Sequence, residues 1–376
     1  MDRTRLSVAV RPSGETFYDA LARRGVSRRE FVRFVAATAS MLGLESTAVP
    51  RIAEALQEKK KIPLVWLEFQ DCAGNTESFL RAAKPSLDEI ILEAISLNYH
   101  ETIMAAAGHL AEEVLERTVA EGGYLAIVEG SIPTADGGVY CTIGGKTAIQ
   151  IAREVCGKSI ATIAAGTCAC FGGLPAAAPN PTGAVSVKAA VPGTRVINLS
   201  ACPFNAANVT ALLVHYLTFG DFPATDGLGR PLFAYGKRIH DACDRRGRFD
   251  AGQYAERFGD EGHRNGDCLY KLGCKGPETY QNCPTVRWNE GTNWPIGAGH
   301  PCVGCAEPYF WDTMTPFYER LPDVDGFGVE VSADELGVGI VAGTAAAFTA
   351  HGVLKSLQRR RMELREASEE NEKEGK

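Results

Sequence analysis

Six of the twelve cysteines in this 376-residue chain fall between Cys243 and Cys305, and His240 stands three residues before the first of them. The interval reads His240-Asp-Ala-Cys243, then Cys268, then Leu-Gly-Cys274-Lys-Gly-Pro, then Asn-Cys283-Pro, and closes with Gly-His-Pro-Cys302-Val-Gly-Cys305. Thiolates are the ligands that iron–sulfur chemistry takes, and an imidazole can replace one of them. Seven such groups are too many for one cluster and about right for two. Around them, from about Pro223, glycine, proline and charge rise and helical pattern shortens. This reads as an irregular domain held together largely by its cofactors.

The remaining chain is long enough for a second core. A net charge of −7 argues against a nucleic-acid partner, which calls for a concentrated basic face. Near the N-terminus, Ser27-Arg28-Arg29-Glu30-Phe31-Val32-Arg33 precedes an apolar run from Phe34 to Leu44. A charged segment before a short apolar one is a targeting layout, and paired arginines mark the twin-arginine form, which exports folded proteins. The plainer reading is an amphipathic helix that contains Arg-Arg. A second apolar run, Leu336 to Leu357, suits a membrane span in length, with Gly339 and Gly343 spaced for close helix packing. Arg359 to Arg361 follow it and would stay cytoplasmic. Exported cysteines often form disulfides, but the turn contexts and ligand-like spacings here favour metal.

Between these ends the pattern alternates. Pro63 to Phe69, Tyr124 to Val128, Ile160 to Ala164 and Val196 to Leu199 read as short buried strands. Phe79 to Ala83, Thr102 to Ala120, Thr147 to Val155 and Ala206 to Leu217 read as helical, while Ile90 to Leu97 could be either. Such alternation indicates an α/β fold with a largely parallel sheet. Three strand ends deliver a cysteine: Cys72, Cys168 and Cys202. Strand ends on one edge of such a sheet can converge, so the three can share one cluster.

Taken together these motifs resemble the small, electron-transferring subunit of nickel–iron hydrogenases, from about Ile62 to Pro322. The resemblance rests on the ordered set Cys72 with Glu77-Ser78, Glu129-Gly130, Gly166-Thr167-Cys168, Pro179-Asn180-Pro181-Thr182-Gly183, Cys202-Pro203 and the whole His240–Cys305 block. It implies a flavodoxin-like parallel-sheet domain, a smaller irregular iron–sulfur domain and a C-terminal transmembrane helix. The expected divisions are a signal region over 1–60, the sheet domain with the proximal cluster over 61–222, and the domain with medial and distal clusters over 223–325. An anchor over 334–358 and a charged cytoplasmic tail over 359–376 complete the chain.

The resemblance further implies that His240, Cys243, Cys268 and Cys274 bind a distal [4Fe-4S] cluster. Cys283, Cys302 and Cys305 would bind a medial [3Fe-4S] cluster, with Pro295 where a fourth ligand would stand. The proximal [4Fe-4S] site departs from the family pattern, because Asn75 occupies the position of its second cysteine. Cys72, Cys168 and Cys202 leave three thiolates. An oxygen ligand from Asn75 or Asp71, a water or hydroxide, or a three-iron cluster remain open, with oxygen ligation favoured. Gly74 and Gly173 stand where oxygen-tolerant relatives carry extra cysteines, so that protective cluster is not expected. Cys141, Cys156 and Cys170 match no ligand position and read as small buried apolar residues. Glu77 would face the large subunit near a proton route, or else simply stabilise a helix N-terminus.

The implied activity is hydrogen oxidation at a nickel–iron centre in a large-subunit partner. Electrons would pass through this chain to a membrane acceptor, a cytochrome b and the quinone pool. The complex would sit on the periplasmic face of the cytoplasmic membrane as an oligomer of heterodimers. A hydrogen-sensing relative should lack the export signal and anchor. A quinone-reductase subunit of the complex I type should lack the His240–Cys305 block.

Overall fold

The computed structural model describes residues 19, 21–22, 25–58, 62–81, 95–289, 291–319, 324–326, 329–331 and 333–374. Five short apolar segments form one sheet: β1 (Ile62–Glu68), β2 (Ile95–His100), β3 (Leu125–Glu129), β4 (Thr162–Ala165) and β5 (Val196–Leu199). Their order is β2-β1-β3-β4-β5, with every pairing parallel. A parallel sheet is covered on both faces, which is why β3 is buried at every position. Successive side chains alternate between two cores. Leu64, Trp66, Ile127 and Ile163 enter one, and Val65, Leu67, Val128 and Ala164 the other. This strand order is flavodoxin-like, with its topological switch point between β1 and β3.

On the first face pack α1 (Arg28–Met41), α2 (Ala48–Glu58) and α7 (Ala206–Phe219). Ser27 and Glu30 form a capping box at the start of α1. The charged and apolar stretch near the N-terminus lies in this helix. Its Phe31, Phe34 and Val35 join Ile52 and Leu56 of α2 and Leu212 of α7 in the core, while Arg28 and Arg29 stay exposed.

The second face carries α4 (His109–Glu121) and α5 (Ala148–Cys156). The helix expected from Thr102 therefore starts later. Thr102 bonds back to the His100 ring through its N–H, and Gly108 takes φ +58 directly before α4. Local side-chain bonding and a left-handed residue stop the alanines from extending the helix upstream. The segment after Cys72 becomes α3 (Gly74–Leu80), and Cys168 lies on the short α6 (Gly166–Phe171). Of the Ile90–Leu97 stretch, the part before Ile95 lies outside the described residues, as does the part of Phe79–Ala83 beyond Arg81.

Beyond Phe222, described helices other than the last run for only three to five residues, for example Arg246–Asp250 and Cys283–Val286. A separate small core gathers Ile239, Leu269, Leu272, Trp294 and Ile296 around Cys274, Cys283 and Cys302. Residues Met1–Arg320 form one compact unit. The second unit, Leu321–Lys376, contains a hairpin of Val324–Gly326 with Val329–Val331 and the helix α8 (Ala333–Glu374). Within α8, Gly337–Met362 is apolar and long enough to cross a membrane, and its side chains are exposed. The α8 helix extends past both ends of the expected 334–358 anchor.

Candidate metal centres

The first thiol set forms where β1, β4 and β5 end. β1 runs on to Asp71-Cys72, β4 feeds α6 with Cys168, and β5 leads to Cys202. The thiols lie close enough to oppose one another's ionisation. Burial, and then Cys305, Cys168 and Cys72, push Cys202 up to about 12. Burial chiefly, with Cys72 adding to it, pushes Cys168 up to about 11. Thiols raised in this way stay protonated, and a bound metal removes that obstacle. Room has been left for such a group. A methyl at Gly173 would lie 2.5 Å from Cys168 Sγ, and one at Gly74 3.1 Å from Cys72 Sγ. Both glycines border the thiols, as expected, and neither adds a sulfur.

Asn75 and Asp71 behave differently. Asn75 is buried, and its Oδ1 accepts the Phe204 N–H at 2.8 Å. Its Nδ2 donates to Glu129 Oε1 (3.2 Å) and Ala165 O (3.3 Å), so both ends of the amide are engaged with protein. Asp71 is exposed, yet desolvation and then the charges of Glu129 and Glu68 push its carboxyl up to about 7. Carboxylate oxygens of Glu68, Asp71 and Glu129 lie within 4.8 Å of one another. Gly130, at φ +90, packs beneath this turn, where a methyl would come 2.9 Å from Asp71 Cβ and 2.7 Å from the Gln70 carbonyl carbon. Glu129 is the hub. It accepts the N–H groups of Asn75 (2.8 Å) and Thr76 (3.0 Å) at the start of α3, plus the Thr76 hydroxyl (2.7 Å). Glu68 and Glu129 pair in register across β1 and β3, so the two strands ending in glutamate were the sequence signal for this trio. Glu77 points outward, with Arg81 Nε 3.5 Å away.

The second set surrounds an apolar cavity of about 350 Å³ lined by Cys283, Cys302, Cys305, Pro295, Trp294 and Gln281, among others. Cys283 is pushed up by burial and by Cys305, and Cys302 by burial, Cys274, Cys305 and Cys283. Pro295 offers no donor, which suits a group held by three thiolates. Trp294 Nε1 and both amide atoms of Gln281 are buried without a partner among the described residues. Unpaired N–H groups beside three thiols are what a sulfur-rich, anionic occupant would satisfy. Neither residue carried a motif that sequence reasoning could have caught.

The third set is Cys243, Cys268 and Cys274, whose thiols also raise one another after burial. His240 opens the turn that ends at Cys243, its ring edge-on to Phe249 at 4.6 Å. Burial and then Arg246 lower its pKa, favouring the neutral imidazole that a metal needs. A methyl at Gly276 would sit 3.4 Å from Cys274 Sγ and 3.8 Å from the His240 backbone nitrogen, so the two segments pack together here.

The three sets follow one another in space. Cys202 lines the same cavity as Cys305, and Thr167 Oγ1 donates to the Cys305 carbonyl. The Cys302 N–H donates to Cys274 Sγ at 3.4 Å, and the Lys275 N–H to the Cys302 carbonyl at 2.8 Å. Arg230, almost fully buried, fastens the chain just after Cys305. It bonds Asp226 (2.8 Å), Glu307 (3.0 Å) and the Ala306 carbonyl (3.3 Å). Of the remaining cysteines, Cys156 and Cys170 are buried as expected, while Cys141 is half-buried.

Two family models match the chain. The C-terminal model of the NiFe/NiFeSe hydrogenase small subunit matches residues 235–318, and the model of the NADH ubiquinone oxidoreductase 20 Kd subunit matches 72–216. The chain is 46% identical over 347 residues to an uptake hydrogenase small subunit of Azotobacter vinelandii, spanning 92% of this chain and 97% of that one. It is 44% identical to a quinone-reactive Ni/Fe-hydrogenase small chain of Wolinella succinogenes, over 90% and 98%. Among solved structures, an H2-activated [NiFeSe]-hydrogenase of Desulfomicrobium baculatum aligns with a TM-score of 0.65 and 36% identity. That alignment covers 70% of this chain and all of the other.

Proposed function

Since the chain belongs to the small-subunit family of nickel–iron hydrogenases and so works with a large-subunit partner, we propose that it carries three iron–sulfur clusters in sequence. When bound, these supply one-electron carriers between hydrogen oxidation in the large subunit and a membrane acceptor. The observation that carries this reading is the continuity of the thiol sets: Cys202 shares a cavity with Cys305, and the Cys302 N–H donates to Cys274 Sγ.

His240, Cys243, Cys268 and Cys274 would hold the distal [4Fe-4S] cluster, and Cys283, Cys302 and Cys305 the medial [3Fe-4S] cluster. The proximal [4Fe-4S] cluster takes Cys72, Cys168 and Cys202. For its fourth ligand we favour Asp71 over Asn75. The Asn75 amide is already spent on Phe204, Glu129 and Ala165. The Asp71 carboxyl is crowded by two like charges and lies within electrostatic range of Cys168. A cation would relieve that crowding, and a carboxylate is the harder, anionic ligand. Glu77, exposed beside this loop, would face the large subunit.

The quinone-reactive relative and the apolar Gly337–Met362 helix together support a quinone-linked cytochrome b as acceptor. Attachment on the periplasmic side after export through the Arg28-Arg29 segment, as an oligomer of heterodimers, completes the proposal. The match of the second cysteine block to a hydrogenase model speaks against a complex-I-type subunit. The test uses membranes holding the full complex with Cys302→Ser. Hydrogen–deuterium exchange at the large subunit should persist while hydrogen-dependent quinone reduction falls at least tenfold. Unchanged quinone reduction would remove the medial site from the path.

A further inference from the structure

Gln281 is 2% exposed, and both its Nε2 and its Oε1 are sealed from solvent without a hydrogen-bond partner among the described residues. A folded chain keeps such a side chain when something else answers it, because a buried, unpaired carboxamide costs free energy. Its location supplies the answer. Gln281 lines the same cavity as Cys283, Cys302 and Cys305, and Trp294, which shares that wall, also holds an unpaired N–H, Nε1. Both residues with orphan donors therefore line the cavity that Cys283, Cys302 and Cys305 share with Cys202.

Other polar contacts around the cavity are already in place. The Gly304 N–H lies 3.4 Å from Cys302 Sγ, and the Thr279 hydroxyl, 3.7 Å from that sulfur, is spent on the Lys275 carbonyl at 2.7 Å. Nothing comparable engages Gln281 among the described residues. A leucine of similar reach would fill the same space without an orphan amide, so the carboxamide itself calls for a role.

We propose that Gln281 sets the reduction potential of the medial cluster by donating its side-chain N–H to a sulfur of the group held by Cys283, Cys302 and Cys305. This rests on the medial assignment made above. A donor aimed at cluster sulfur stabilises the added electron and raises the potential. The medial carrier is thereby held high enough to accept from the proximal side without an additional charge in its walls.

The experiment is an EPR-monitored redox titration of the purified complex, wild type against Gln281→Leu and Gln281→Glu. Leucine removes the donor, and glutamate keeps the shape while exchanging donor for negative charge. The expected result is a medial potential that falls from wild type to leucine to glutamate while the distal potential stays fixed. The first step should be about tenfold in the reduction equilibrium, or about 59 mV for a one-electron couple. Wild-type potentials in both variants, with the three-iron signal at full intensity, would overturn the role of Gln281 and leave the medial assignment standing. Absence of a three-iron signal from the wild type would instead overturn that assignment. Should both variants lose the cluster, pulsed EPR of the oxidised wild type carrying glutamine amide-¹⁵N decides. A coupling that changes with the label supports the hydrogen bond, and an unchanged spectrum overturns it.

Discussion

Asp71, on the segment that leaves β1, and Asn75, in the first turn of α3, sit four residues apart and have opposite surroundings. Asn75 is buried and saturated with hydrogen bonds, whereas Asp71 is open and surrounded by like charge. If Asp71 ligates iron, Asp71→Ala should leave the proximal cluster one ligand short. Mössbauer spectra of the complex should then show loss of one proximal iron or a new iron site. Asn75→Ala should keep that spectrum while weakening the loop by about 1–3 kcal/mol, because it orphans the Phe204 N–H and one Glu129 contact. The reverse pattern would make Asn75 the ligand. Sequence spacing brought both residues forward but could not choose between them. That choice depends on which way each side chain turns, and only the contacts to Phe204, Ala165 and Glu129 reveal it. The cysteine sets were legible because they lie in short, glycine- and proline-rich turns. Gln281 was not, since a single glutamine carries no pattern until its burial is known.

At the level of elements, the sheet and its helices were readable where burial and periodicity agree, as in β1, β3, β5 and α7. They were less readable at the end of β2, where the His100 ring accepts the Thr102 N–H that the alanines would otherwise have drawn into a helix. Arg230 was invisible among the many surface charges of the sequence, yet it ties Asp226 to Glu307 and the carbonyl next to Cys305. Glu307 in turn accepts the Tyr280 N–H at 2.7 Å. Removing one partner of such a buried network strands the remaining charge. Arg230→Met should therefore cost about 3–5 kcal/mol of stability. Thermal unfolding of the complex would measure it, with the medial three-iron signal falling before the proximal one. A melting temperature equal to wild type would show that the network is dispensable.

For the whole molecule, two kinds of stability coexist. The sheet domain has two conventional cores, whereas the region after Phe222 has a small core in which Cys274, Cys283 and Cys302 are themselves members. Metal binding to such a region is largely folding free energy. Removal of iron by an oxidant and chelator should raise protease sensitivity between residues 223 and 319 and leave 95–219 resistant. Uniform resistance would show that the region folds without its metal. Deleting residues 333–376 removes the membrane-length helix. It should release a complex that still reduces a soluble dye with hydrogen but no longer reduces quinone in membranes, measured as the ratio of the two activities. An unaltered ratio would separate the helix from electron delivery.

Combined Mössbauer and low-temperature EPR spectroscopy of the purified, ⁵⁷Fe-enriched complex tests the relay of three clusters of unequal ligation. The expected spectra hold one three-iron signal from Cys283, Cys302 and Cys305 and two four-iron clusters, one of them with an iron whose parameters indicate oxygen rather than sulfur ligation. Two three-iron signals in intact wild-type protein would contradict the oxygen-ligated proximal site, and a complex without iron in this chain would contradict the relay itself.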